Sequence, residues 1–220
     1  MKNASSRLLL AGMIAALPLF YTASIYPALP ASIPLHFNYR GEPDRFGDKT
    51  ELWFPVLLLT VVSIGVYLLV SNLSKIDPKK SAAQSSLMNE KIAWVIIVFM
   101  SALNLIIVHS AKAGSIDVQR LMFPLIGFFF SLLGNYMHSI KPNYFIGFRT
   151  PWTLENEDNW RKTHQLVGRI WVPGGILIAL LTLLLPAQAG FIAFLSITVL
   201  MVLIPGIYSY RYFIKHRNQS

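Results

Sequence analysis

Six runs in this chain carry no Asp, Glu, Lys or Arg in their interiors, and each is long enough to cross the roughly 30 Å of a bilayer's hydrocarbon as a helix. They are Leu8–Ile25, Leu52–Val70, Ile92–Val108, Leu121–Met137, Ile170–Leu185 and Gly190–Tyr210. No other feature narrows the fold so far. In lipid every backbone N–H and C=O must be paired within the protein, which leaves helices or closed barrels. The reading is an all-α integral membrane protein with six transmembrane helices. Prolines 18, 55, 124, 173 and 205 fall in or near these runs, and membrane helices tolerate them because neighbours can pair the carbonyls they free. Composition agrees: 54% hydrophobic and 13% charged residues lie outside the range of ordinary soluble domains. Lys2 and Arg7 precede the first run as they would in a secretory signal, but the run is long and no small-x-small cleavage site follows, so it is read as a span.

Basic residues set the expected orientation. With the N-terminus in the cytoplasm, 14 of the 19 Lys and Arg fall in cytoplasmic segments and 5 outside, the bias expected of a plasma-membrane protein with both termini inside. The formal charge of +9 is read in that way and not as a nucleic-acid footprint, since no soluble basic module is present. Cysteine is absent, which excludes a disulfide framework, a thiol nucleophile and cysteine-ligated metal.

The organisation expected is a two-helix unit over 1–72 with a proline-rich outside loop, a polar cytoplasmic linker over 73–91, and a four-helix unit over 92–220. No internal repeat supports an inverted-repeat transporter. In the outside loop, Tyr26–Lys49, Pro27, Pro30 and Pro34 make the first half extended, and Gly41 with Pro43-Asp44 signals a turn. His36, Asn38, Gly41 and Asp44 are its candidate ligand residues. The plainer alternative is a stiff loop over the helix ends with His36 bonded locally.

The stretch "KPNYFIGFRTPWTLENEDNWRKTH", Lys141–His164, is too polar for lipid and too rich in aromatics for a simple connector. Its Tyr144, Phe145 and Phe148 suit the headgroup level. A helix should start here, with Thr153 as N-cap or Thr150 ahead of Pro151 at the first helical position. Glu155, Glu157 and Asp158 follow where the dipole favours acids. Trp160, His164, Val167 and Trp171 recur on one face, which predicts an amphipathic cytoplasmic segment running towards the fifth span, with Pro173-Gly174-Gly175 as a kink site. Asn143, Gly147, Arg149, Thr150, Pro151, Trp152, Thr153 and Trp160 are the candidate partner-docking residues. The alternative is an interfacial anchor. Arg149 can reach helix-end carbonyls, stack on an indole or pair with Glu155 or Glu157.

Intramembrane polarity is sparse. Asn104 lies mid-span in the third run, and Asn135 lies one turn beyond the small-xxx-small pair Gly127 and Ser131 in the fourth. Both are expected to serve as packing glue. No HExxH, GxSxG or paired-aspartate motif occurs, and no cofactor or enzymatic role is expected.

Residues 133–171 resemble the signature of the SdpI family of bacterial membrane proteins. The resemblance rests on Gly134-Asn135, on the "IGFRTPWTL" run from Ile146 to Leu154, on the acidic run Glu155–Asp158, on Trp160 and on Gly168. The loop "YPALPASIPLHFNYRGEPD" is similar to a small N-terminal domain often fused ahead of that signature. The resemblance implies six spans in the bacterial plasma membrane and immunity to a secreted, membrane-active peptide toxin. In the family's best-known form it also implies tethering of a cytoplasmic helix-turn-helix repressor, with membrane lipid as the other partner and no direct nucleic-acid contact. A small transporter or lipid-handling protein is the rival class.

Overall fold

The structure, a computed structural model, describes residues 2–38, 42–78, 86–114 and 118–217. The main helices are α1 (Lys2–Ile25), α2 (Trp53–Ser71), α4 (Ser86–Ala113), α5 (Val118–Met137), α7 (Glu157–Leu184) and α8 (Ala187–His216), with the short α3 (Leu73–Ile76) and α6 (Pro151–Glu155) between them. Six helices among the described residues are long and apolar enough to cross a membrane. The protein is an all-α integral membrane protein. Its loops alternate between two ends, called here the hairpin end and the termini end. Large apolar side chains such as Phe20, Phe54, Val61, Leu184 and Ile192 point outward along the helices, which is the arrangement lipid favours over water.

Two differences from the sequence expectation appear along the chain. The region read as a linker up to residue 91 is already helical from Ser86, so α4 starts in the polar segment. The amphipathic helix expected from Thr150 or Thr153 is interrupted at Asn156, and from Glu157 onward it and the fifth span are one unbroken helix, α7, which passes through Pro173.

Packing joins α1, α2 and α4 into one group and α5, α7 and α8 into another, with α4 and α5 in contact between them. The α5–α7 seam is the tightest and its cause is small residues. A Cβ on Gly127 would lie 2.5 Å from the Gly175 carbonyl oxygen, and one on Gly168 would lie 2.9 Å from that of Gly134. Backbones that close admit no side chain between them. Ser131 adds a hydroxyl bond to the Val172 carbonyl. Gly134, not Asn135, therefore completes the face begun by Gly127 and Ser131. Asn135, expected as glue, is exposed on the flank of the seam.

Two of the interior prolines, Pro18 and Pro205, are matched by donors from other helices. Pro18 has no N–H for the Ile14 carbonyl four residues earlier, and the Ser101 hydroxyl donates to that oxygen at 2.7 Å. Pro205 likewise frees the Met201 carbonyl, which accepts from the Trp171 indole at 3.0 Å. Asn104 lies buried where α4 meets α2 and donates to the Val56 carbonyl at 3.1 Å.

In the loop read as extended and turning, Tyr26–Ala28 around Pro27 form a 3-10 turn and not an extended stretch, since proline's fixed φ also suits a helical first turn. The strands that follow pair as a β-hairpin whose second strand takes in Pro43-Asp44, expected as a turn. Strand β1 (Ser32–Phe37) pairs antiparallel with β2 (Pro43–Asp48), and a bulge falls between Pro34 and His36. A capping box closes its foot: Asp48 accepts from the Thr50 N–H at 2.8 Å, and Glu51 accepts from the Asp48 N–H. The bonds from the Thr50 N–H and hydroxyl hold the Asp48 carboxyl below its ordinary range.

Candidate functional site

The chain between α5 and α7 is a folded cap on the termini end. Asn143 is buried and fills its whole bonding capacity locally. Its amide donates to the carbonyls of Lys141 and Ile146 at 2.9 and 3.0 Å. Its carbonyl oxygen accepts from the N–H groups of Phe145 and Ile146 at 2.8 and 2.6 Å. Gly147 then turns the chain with φ +114°, a region L side chains avoid. A Cβ there would also lie 2.3 Å from His164 Nε2.

That imidazole holds the centre. His164 is buried, accepts from the Phe148 N–H at 3.0 Å through Nε2, and meets the Trp160 carbonyl at 2.8 Å through Nδ1. An N–H facing Nε2 and a carbonyl facing Nδ1 require a neutral ring protonated on Nδ1. The ring stacks on Trp160 at 4.1 Å between centroids. The Trp160 indole is 1% exposed and donates to the Ile140 carbonyl at 2.8 Å. Ile146, Phe148 and Leu154 pack around the same cluster.

Helix α6 starts at Thr150, whose side chain accepts from the Thr153 N–H, with Pro151 in the first turn. Thr153, the first-named cap in the sequence reading, is instead the reciprocal partner: its buried hydroxyl takes the Thr150 N–H and faces the Phe148 carbonyl at 3.1 Å. Asn156 caps α7. The cap is tied to α8 by Trp152, whose indole donates to Ser209 Oγ at 3.1 Å and packs on Tyr210 and Phe213. Asn159 adds a bond to the Ser209 carbonyl at 3.0 Å. Asp158 gathers Arg161, Lys162 and the Tyr212 hydroxyl. Of the three roles open to Arg149, the structure shows the carbonyl: its guanidinium donates to Tyr144, and the side chain is exposed. Trp160, Asn143 and Thr153 are thus interior parts. Tyr144, Phe145, Arg149 and Pro151 form the outer surface of the cap.

The hairpin end is built differently. His36 Nδ1 lies 2.6 Å from Asp44, an exposed pair across the strands. Asn38 and Glu42 close the described part of the loop, with Asn38 Nδ2 3.0 Å from the Glu42 carboxylate. Gly41 lies outside the described residues. Beneath the hairpin is a cavity of about 580 Å³. One wall is the strand from Pro34 to Asn38. The others come from Leu52 and Pro55 of the α2 entrance, Ile106, Ile107 and Ala111 of α4, Phe123 of α5 and Phe191 of α8. The lining is largely apolar, and His36 and Asn38 stand at it. His36 and Asn38 are candidates legible in the sequence; the apolar walls are not, because they come from elements far apart in the chain. Among the described residues no group of three or more His, Asp or Glu converges as a metal site.

Residues 139–209 match the model of the SdpI/YfhL protein family, the region that holds the cap and helices α7 and α8. Residues 13–60 match a domain of unknown function (DUF1648), which takes in the second half of α1, the hairpin and the start of α2. A curated relative, "Immunity protein SdpI" of Bacillus subtilis (strain 168), is 25% identical over 192 residues, covering 87% of this chain and 88% of the relative. No solved structure matches the chain. The six apolar helices, the family match over the cap and the near full-length relative agree: this chain is a multi-pass membrane protein similar to the SdpI family over the cap, α7 and α8.

Proposed function

We propose that this protein is an immunity protein of the SdpI type, which protects its cell from a membrane-active peptide toxin. In this reading the hairpin end faces outward, the termini and the cap face the cytoplasm, and the role is binding and not catalysis. The observation that carries it is the cavity: about 580 Å³ of apolar space between an exposed hairpin and the ends of four spans. Pockets of this size and lining receive apolar side chains or short apolar segments. Polar His36, Asn38 and Asp44 at the rim orient whatever enters. The charge bias supports the orientation, with 14 basic residues on the cap side. The cap's outward Arg149, Pro151 and Tyr144 supply a firm surface on which a cytoplasmic repressor can dock.

The test is toxin challenge of a sensitive strain expressing the chain. Wild type should raise tolerance, and Ile107→Trp, which fills the cavity from α4, should abolish it while leaving membrane abundance unchanged. Full protection by the filled variant would remove the cavity from the mechanism. No protection by wild type would remove immunity itself. Single cysteines at Asn38 and Asn156 in this cysteine-free chain report orientation, and an impermeant reagent should label only Asn38→Cys in intact cells. The apolar lining also favours a second reading, lipid handling, in which Ile107→Trp would change lipid content and not toxin tolerance.

A further inference from the structure

A second concavity lies on the flank of the α5–α7 seam, near the termini end. It has a volume of about 340 Å³ and its floor is Gly134 and Gly168, one of the two glycine pairs that let the helices touch. Around it stand Asn135 and His138 from α5 and Gln165 and Arg169 from α7. All four side chains are exposed. Helical spacing puts each pair on one face, three and four residues apart.

Depth and charge say what belongs there. Arg169 is the last charged residue before the apolar run of α7, and His138 follows the last residue of α5, so the site sits at the boundary between hydrocarbon and headgroups. Asp158, the nearest acid earlier on α7, is eleven residues away, about 16 Å along the helix. The guanidinium therefore has no carboxylate on its own helix to neutralise it. The two amides bring acceptors as well as donors, which suits a phosphate ester carrying its own hydroxyl better than a bare phosphate. Basic concavities between spans at this level bind anionic headgroups.

We infer that the furrow of Asn135, His138, Gln165 and Arg169 binds the headgroup of an anionic phospholipid, with the phosphate on Arg169. The site is distinct from the cavity under the hairpin and does not depend on the immunity reading.

Native mass spectrometry of the purified full chain, titrated with dioleoylphosphatidylglycerol or with dioleoylphosphatidylcholine, tests it. Wild type should prefer the anionic lipid, and Arg169→Gln should weaken its binding about fivefold, the effect of one basic residue at a membrane surface. Arg211→Gln, a change to a basic residue elsewhere at the same end, should leave it unchanged. Equal loss with Arg211→Gln would mean diffuse attraction and overturn the site, as would full binding by Arg169→Gln. Displacement of the lipid by millimolar inorganic phosphate would assign the site to a soluble anion and overturn the lipid. Should Arg169→Gln fail to fold, the exposed pair Asn135→Leu with His138→Gln takes its place, with the same loss expected and unchanged binding refuting the proposal.

Discussion

At the termini end the chain between two spans folds inward: Asn143, Thr153, Trp160 and His164 are each buried and each bonded. At the hairpin end the chain between two spans folds over a space it does not fill, and its polar pairs, His36 with Asp44 and Asn38 with Glu42, are exposed. Both ends use a capping box, at Thr150 and at Asp48. The local devices are thus alike, and the difference lies in what stands behind them. Behind Thr150 is a closed aromatic core; behind the hairpin is a cavity. Unpaired buried polar groups are costly, so a segment rich in them is either fully satisfied or not buried. The cap takes the first course and the hairpin the second. Rigidity at one end and accommodation at the other is what a protein needs if it receives a ligand on one face and presents a fixed surface on the other.

The sharpest contrast should come from matched truncations. Trp160→Ala should destabilise the detergent-solubilised protein by about 3–5 kcal/mol, read as a fall of the thermal midpoint by roughly 10 °C. Phe37→Ala at the cavity should shift it far less and act on toxin tolerance. Equal losses would erase the distinction between the ends. Gly147 and Gly114, both with positive φ, offer a second comparison. Gly147→Ala carries backbone strain and a clash with His164, and should cost about 2–3 kcal/mol or more. Gly114→Ala, φ +70° in open space, should cost only the strain, roughly 1 kcal/mol. Thr150→Ala removes the N-cap of α6 and one half of the box; a loss of about 0.5–2 kcal/mol is expected, with faster proteolysis at Arg161-Lys162. The smallest effect should be Arg149→Lys. Its one carbonyl partner is at the surface, so stability should change by under about 0.5 kcal/mol. A large loss would show that Arg149 organises the cap and does more than decorate its outer face.

How much of this was legible depends on the range of the interactions concerned. The six spans follow from apolar runs because lipid leaves few alternatives, and the start of α6 was legible in Thr150-Pro151 because capping is local. Preferring Thr153 erred within one turn, since both threonines belong to the same box. Asn135 shows the limit. Residues three and four after Ser131 are both near its face, and periodicity alone does not choose between Gly134 and Asn135. Helix α7 chooses, because its Gly168 can approach only a glycine. The hairpin was half legible: Pro30 and Pro34 pointed to extended chain, but Pro43-Asp44, read as a turn, open strand β2, and the pairing was invisible because a register depends on two segments at once.

The sequence by itself determined that this chain crosses the membrane six times, where the crossings lie, and that one connector is far too specific to be a mere link. Those properties are sums over neighbouring residues. Tertiary structure alone decided that Trp171 would serve Met201 across from Pro205 and Ser101 would serve Ile14 across from Pro18. It alone set His164 as the post on which Gly147 and Phe148 turn. It also gathered walls from five separate segments into one apolar cavity beneath the hairpin. Each of these depends on which helix faces which, and backbone approach at the glycine seam settles that only once the helices have packed.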